Sequence, residues 1–345
     1  ISFMTGVLGL DIGGANIKVA YIEQPTLRIT TDYFPIWKKN KGQLTKILAE
    51  LTFRLTRGKR LKAVGVTMTA ELSDAYSDKR EGVNHILDSV EQTFRNVPIY
   101  VLTANGCFFS PKRARHKPLK VAAANWAASG WLIAKHFDSV IFIDVGSTTT
   151  TIIPIVNHQV VAEGRTDLDK LANGELVYTG TLRTNIATIV RTIPLRNKMI
   201  KISSELFSTS GDIHRILDNI TRKKYTGETA DGRGKTVKEC KARLARVICS
   251  DLNMLNNDEI KAITKYVYKK QVEQISDALK QILKRRSMMK KNVFTITAGI
   301  GERFLASKAA ERIPLKHIHL DRIIKGVSKA TPAAALAIMV NEKYG

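Results

Sequence analysis

Two stretches of this chain set an acid beside glycine in a way that suits phosphate chemistry. In VLGLDIGGANIKVAY (7–21) an apolar run ends in Asp11. Gly13, Gly14, Ala15 and Asn16 follow before Lys18 and a second alternating run. In SVIFIDVGSTTTTIIPIV (139–156) the acid is Asp144, followed by Gly146, Ser147, Thr148 and Thr149. A glycine turn lets backbone N–H groups approach a phosphate because no Cβ intervenes. An acid just ahead of the turn suits hydrated magnesium, which binds few carboxylates and keeps several waters. Lys18 adds a cation, and residues 147–149 add hydroxyl donors. A third glycine pair, Gly299 and Gly301 in ITAGIGERF, ends one apolar run and opens a helical one. That lets a flat group lie on the backbone. Each stretch alone reads equally well as a glycine hairpin with an exposed acid. The three together predict a clamp for a diphosphate or triphosphate, with Asp11 and Asp144 approaching one magnesium ion.

The elements that would position these residues follow from periodicity. Residues 6–34 predict strand, turn, strand, loop, strand. Leu44, Ile47, Leu48, Leu51 and Leu55 fall on one helical face. KAVGVTM (62–68) is a continuous apolar strand of the kind found in buried parallel sheets. A helix over 80–95, the strand PIYVLT and an alanine-rich helix over 119–137 come next. The order then restarts with the second hairpin at 139–164, a long helix near 258–285, and a closing helix with Thr331 as N-cap. The opening motif thus occurs twice, which predicts an internal duplication.

Composition sets the bounds. A chain of 345 residues with 44% hydrophobic residues is long enough for two folded domains. No apolar stretch approaches the ~20 residues that span a bilayer. Met4 reads as the natural start, with Ile1 to Phe3 as a remnant ahead of it. Cys107, Cys240 and Cys249 are odd in number and widely spaced, which fits a reducing cytoplasm rather than a disulfide framework. The net charge of +24 attracts anions, but its clusters at 112–117, 222–224 and 284–291 carry no aromatic interleaving. A solvated basic surface is favoured over a nucleic-acid partner, and oligomeric state is left open.

The three glycine elements in this order resemble the actin-like ATPase superfamily, which includes sugar kinases, actin and heat-shock chaperones. The resemblance implies an α/β, ribonuclease H-like, duplicated fold, with two domains (4–135 and 136–345) around a central cleft. It makes the two hairpins phosphate loops, with Asp11, Gly13, Gly14, Asp144, Gly146 and Gly299 lining the site. Ala15 and Asn16 depart from the pattern, since many of these kinases carry a hydroxyl residue there. Further motifs narrow the likeness: VTMTAELSDAYSDKREGV (66–83), LTANGCFFS (102–110), AAANWAASGWLIA (122–134) and SSELFSTSGDIHRIL (203–217). With DIGGANIK they resemble the hydantoinase/oxoprolinase-related proteins of tetrahydromethanopterin-linked one-carbon metabolism. Within that family they are similar to the archaeal methanofuran-biosynthesis branch. The implied reaction joins γ-glutamyltyramine to the diphosphate of 5-(aminomethyl)-3-furanmethanol, forming an ether and releasing diphosphate, with magnesium as cofactor and small molecules as partners.

A phenol nucleophile, with a pKa of about 10, benefits from a base. Asp74 and Glu71, after the strand 62–68, are the candidate acids, with Asp74 preferred; Lys18 is the candidate catalytic cation. The alternatives are an ATP-dependent small-molecule kinase, with Asp74 at the acceptor hydroxyl, and a non-enzymatic nucleotide switch. YTGETADGRGK (225–235) reads as a mobile loop. Asp212 is expected at a helix start capped by Ser208 or Ser210, and Trp126 is expected in the core.

Overall fold

The computed structural model describes residues 6–40, 42–285, 288 and 293–345. Met4 and much of the basic cluster 284–291 lie outside the described residues. Fourteen strands are present among them: β1 (Gly6–Ile12), β2 (Asn16–Glu23), β3 (Thr26–Tyr33), β4 (Leu61–Met68), β5 (Ile99–Leu102), β6 (Phe108–Phe109), β7 (Val140–Val145), β8 (Thr150–Val156), β9 (Gln159–Val160), β10 (Leu176–Val177), β11 (Thr192–Leu195), β12 (Lys198–Lys201), β13 (Phe294–Ala298) and β14 (His317–His319). They form two large sheets and one small hairpin. The first sheet runs β3-β2-β1-β4-β5-β6. The second runs β10-β8-β7-β13-β14, with β9 also paired to β8. Read as β9-β8-β7-β13-β14, the second order repeats the first through its first five strands, so the duplication seen in the two motifs extends to topology.

In the first sheet β1 pairs antiparallel with β2 and parallel with β4. Every residue of β1 is buried, because both faces are covered. Leu8, Leu10 and Ile12 share one core with Leu44, Leu48 and Leu51 of the helix Gln43–Thr56 and Val83, Ile86 and Val90 of the helix Lys79–Thr93. The alternate face, with Gly9 on β1 and Gly65 on β4, lies against the closing helix Thr331–Tyr344; Ala333 and Ala337 approach Gly9, and Leu336 and Val340 approach Gly65.

The chain divides less simply than at 135/136. One compact unit comprises the chain through Val140, Ile153–Lys170 and Leu320–Gly345, and the other comprises Ile141–Ile152 and Leu171–His319. The physical reason is the closing helix: it is apolar along most of its surface and completes the core of the first sheet. Its cap also differs, since Ala330 holds the N-cap position and Thr331 is the first helical residue.

Two further expectations change. The alanine-rich segment is not one helix. It breaks into Pro118–Val121 and Asn125–His136, because Ala122 bridges to Met68 at the end of β4 and Ala123 adopts a left-handed conformation at φ 48°. The 225–235 loop is pinned rather than mobile. Arg243, fully buried, donates to Gly234 O and Asp231 Oδ1, each at 3.0 Å, and Lys235 Nζ donates to Tyr225 O at 2.6 Å. Arg243 also holds Asp212 at 2.7 Å. Asp212 sits in a capping box whose N-cap is Thr209, with Ser208 Oγ donating to it at 2.9 Å.

Candidate phosphate loops and a buried acid

In the first unit, strand pairing fixes the first acid. Asp11 stands opposite Lys18 on β2 and Thr67 on β4. Lys18 Nζ donates to Asp11 Oδ2 at 3.2 Å. Asp11 is buried; its Oδ1 and the neighbouring Thr67 Oγ1 have no hydrogen-bond partner. Buried polar atoms are ordinarily satisfied, so these two oxygens are candidate points of contact for a ligand. The turn closes with Gly13 N donating to Asn16 O at 3.0 Å. Ile36 N and Phe34 N satisfy the carbonyls of Gly14 and Ala15, both at 2.9 Å. Space is open where a Gly14 side chain would stand.

The second hairpin, in the second unit, repeats this arrangement. Gly146 N donates to Thr149 O at 2.9 Å, and its carbonyls are satisfied from a later segment: Thr181 N donates to Gly146 O, and Leu182 N and Arg183 N to Ser147 O. Arg183 Nη1 also reaches Thr148 Oγ1 at 3.3 Å. Thr179–Thr184 thus braces the turn, a role the sequence does not announce. Gly299, at φ 89°, lies so close to the acid that a Cβ there would stand 2.4 Å from Asp144 Oδ1 and 2.4 Å from Val145 O. Gly301 N donates to Val145 O at 3.0 Å. The predicted third glycine element therefore packs directly on the second acid. Gly299→Ala is expected to displace the Asp144 carboxylate and to destabilise the fold by roughly 1–3 kcal/mol through overpacking and backbone strain. Calorimetry together with a rate assay checks this, and a variant with unchanged Tm and rate would contradict it.

A magnesium ion, which takes few carboxylates and retains water, suits a lone unpartnered oxygen such as Asp11 Oδ1. Among the described residues no group of three or more His, Cys, Asp or Glu side chains is placed to hold a metal. The lone Asp11 oxygen is the donor that would suit a hydrated hard cation.

The loop after β4 adjoins the first hairpin, with Thr69 N donating to Ile12 O at 3.0 Å. The two candidate acids on this loop differ sharply. Asp74 lies exposed on a turn. Glu71, in a short helical turn (Ala70–Leu72), is 1% exposed. Its Oε1 accepts the Ala123 N–H at 3.0 Å, and its Oε2 has no partner. Burial raises its carboxyl to about 7; the Ala123 N–H and Lys79 work in the opposite direction. The broken alanine-rich helix explains this contact, because the left-handed Ala123 aims its N–H at the acid. Gly82 permits the approach of helix Lys79–Thr93, since a Cβ there would lie 2.6 Å from Glu71 Cα. Trp126, expected in the core, is buried, with Lys170 Nζ 3.5 Å from its ring centroid.

Comparison with known proteins shows the family and the fold. The sequence profile described as hydantoinase/oxoprolinase matches residues 62–343. A protein of Methanocaldococcus jannaschii named (4-{4-[2-(gamma-L-glutamylamino)ethyl]phenoxymethyl}furan-2-yl)methanamine synthase is 41% identical over 340 residues, 98% of either chain. A Methanococcus vannielii protein of the same name is 34% identical over 207 residues, 59% of this chain and 91% of that one. Among solved structures, a ROK family glucokinase from Streptomyces griseus in complex with glucose and AMPPNP is similar, with a TM-score of 0.51 over 98% of this chain and 99% of that one, at 12% identity. That likeness concerns the fold alone, which is the duplicated actin-like one.

Proposed function

This chain belongs to the hydantoinase/oxoprolinase family, and from that premise we propose that it is the transferase forming the aryl ether of methanofuran biosynthesis. It condenses γ-glutamyltyramine with 5-(aminomethyl)-3-furanmethanol diphosphate. The observation that carries this is the near-full-length likeness to the synthase from Methanocaldococcus jannaschii, joined to two glycine hairpins that each follow an acid. No helix among the described residues is long and apolar enough to cross a membrane.

In this reaction the bond between the furan methylene and the diphosphate oxygen breaks, and its electron pair leaves with the diphosphate. The phenol oxygen bonds to the methylene, and its proton passes to a base. The turn at Gly13–Asn16, with Lys18, would bind and orient phosphate oxygens of the leaving diphosphate; the turn at Gly146–Thr149, supported by the backbone at Gly299 and Gly301, offers the same donor chemistry in its own unit. Oriented donors of this kind stabilise charge as it develops. Magnesium, when bound at Asp11 and at Asp144, would neutralise part of that charge. Glu71 is the better proton acceptor. A buried carboxyl poised near 7 holds a proton more strongly than an exposed one, yet is still largely ionised just above neutrality.

The substrate brings its own diphosphate, and Ala15 and Asn16 stand where many kinases carry a hydroxyl. ATP is therefore expected to be dispensable. Wild-type protein with both substrates and magnesium, but no nucleotide, should release one diphosphate per ether formed. A strict requirement for ATP hydrolysis would favour the kinase alternative.

A further inference from the structure

In the second unit a chain of hydrogen bonds runs from the half-buried Asn219 to the turn Gly146–Thr149. Its centre is Gln271 on the long helix Asn257–Leu283. Gln271 is fully buried, and Val267 and Ile275, one turn away on either side, are buried and apolar. Gln271 Nε2 donates to Gly180 O at 2.8 Å and to Thr179 Oγ1 at 3.1 Å. Both amide hydrogens are thereby used, and Oε1 faces His214 Nε2 at 3.0 Å. A carbonyl oxygen only accepts, so that ring nitrogen carries the proton. In the neutral ring Nδ1 is then an acceptor, and Asn219 Nδ2 donates to it at 3.1 Å. The ring stays neutral because burial lowers it to about 3, against the opposing pull of the Gln271 bond. At the inner end, the peptide unit whose Gly180 carbonyl accepts from Gln271 donates through Thr181 N to Gly146 O at 2.9 Å. Every donor in the chain therefore points the same way. Gly180 also lies directly against the turn, since a Cβ there would stand 2.5 Å from Thr148 C.

A buried amide and a buried imidazole give up hydration that apolar side chains on the same helix face would not need to lose. A fully satisfied polar chain supplies one fixed geometry in return, because each bond is stronger in a medium of low polarity and aligned donors polarise one another. The geometry fixed here is that of the Gly180–Thr181 peptide and, through it, of the turn Gly146–Thr149. We propose that Gln271, oriented by His214, is a positioning residue that sets the second turn for the leaving diphosphate. This rests on the ether-forming reading above, in which that turn handles phosphate. Both side chains are fully buried and act only through the peptide. Their effect is to keep the turn in place as negative charge grows on the diphosphate, so it is felt in the transition state more than in substrate binding.

The test compares Gln271→Met, His214→Phe and the double variant in the full chain, with kcat, KM and Tm measured on each. Met keeps an unbranched side chain and removes both polar ends. Phe suits the rings of Phe304 and Tyr268, whose centroids lie 4.7 and 6.0 Å from that of His214, and it removes only the bond that orients the amide. A slightly displaced turn is expected to lower kcat about 10- to 100-fold in Gln271→Met, with KM changed no more than about threefold. His214→Phe should lower kcat about three- to tenfold. The double variant should fall no further than Gln271→Met, because His214 acts through Gln271. A pair serving only the fold predicts a lowered Tm with kcat within about threefold of wild type, and that result overturns the proposal. So do losses that multiply in the double variant. If Gln271→Met does not fold, His214→Phe decides alone: a kcat loss of at least about threefold supports the proposal and a smaller one overturns it. If the wild type forms no ether, the reaction assignment fails instead. Calorimetry with inorganic diphosphate and magnesium then decides the positioning role: binding weakened at least about tenfold in the folded variant supports it, and equal binding or none overturns it.

Discussion

Replacing Asp11 or Asp144 with Ala should lower kcat by about 10³-fold or more. Metal-assisted stabilisation of a departing phosphate contributes several kcal/mol, and each ~1.4 kcal/mol is a factor of ten. The fold should survive in both variants. Asp11 has one carboxylate oxygen without a partner and shares the other with Lys18, itself half-exposed and able to turn to water. Asp144 lies over Gly299, and its truncation opens space there. Asp11→Asn and Asp144→Asn keep the size and remove the charge, and should fall with the Ala variants. Diphosphate release, magnesium titration and Tm measured together separate a lost metal from a lost fold. Turnover near wild type in both Ala variants would remove these acids from the chemistry.

The second large effect is expected at Glu71. Glu71→Gln should lower kcat roughly 10²- to 10⁴-fold, the usual worth of a positioned base. In the wild type, kcat should climb as pH rises through about 7, where the buried carboxyl ionises. The Gln variant should lose that limb and recover in part at high pH, where the free phenol ionises near 10. Stability should move the other way. A carboxyl whose pKa is raised on folding contributes stability below its unfolded pKa, and loses it as pH rises through the folded value. From about pH 4.5 to above 7 the wild type should lose on the order of 3 kcal/mol through this group. Glu71→Gln, which can still accept from Ala123, should show a flatter profile and be no less stable at pH 8. A purely structural Glu71 predicts a destabilised variant with no rescue at high pH. Asp74→Asn is the companion: a loss of 10²-fold or more there, with Glu71→Gln near wild type, would return the role to Asp74.

The hairpins were legible in the sequence because their signal is local. An acid, a glycine turn and the flanking apolar runs lie within about fifteen residues, and the motif repeats. The strand order that extends the repeat came from the structure. What escaped depends on distant contacts. Thr179–Thr184 braces the second turn through backbone bonds that leave no mark on residue type. Ala122–Ala124 reads as helix, and only its bridge to Met68 and bond to Glu71 break it. The 225–235 loop has the composition of a mobile segment, and the distant Arg243 pins it. The sequence favoured Asp74 over Glu71; the two stand three residues apart, and the burial that sets Glu71 apart leaves no mark on residue type.

The closing helix has a consequence for how the molecule is made. Thr331–Tyr344 covers the Gly9 and Gly65 face of β1 and β4, yet those strands leave the ribosome long before it does. Throughout most of synthesis the Gly9 and Gly65 face of the nascent first sheet waits for the last residues translated. A shortened product ending near the middle of the chain would expose that uncovered trough to chaperones, proteases or another nascent copy. The N-terminal unit should therefore resist expression as a separate fragment and become tractable when residues 320–345 are supplied in trans or fused by circular permutation.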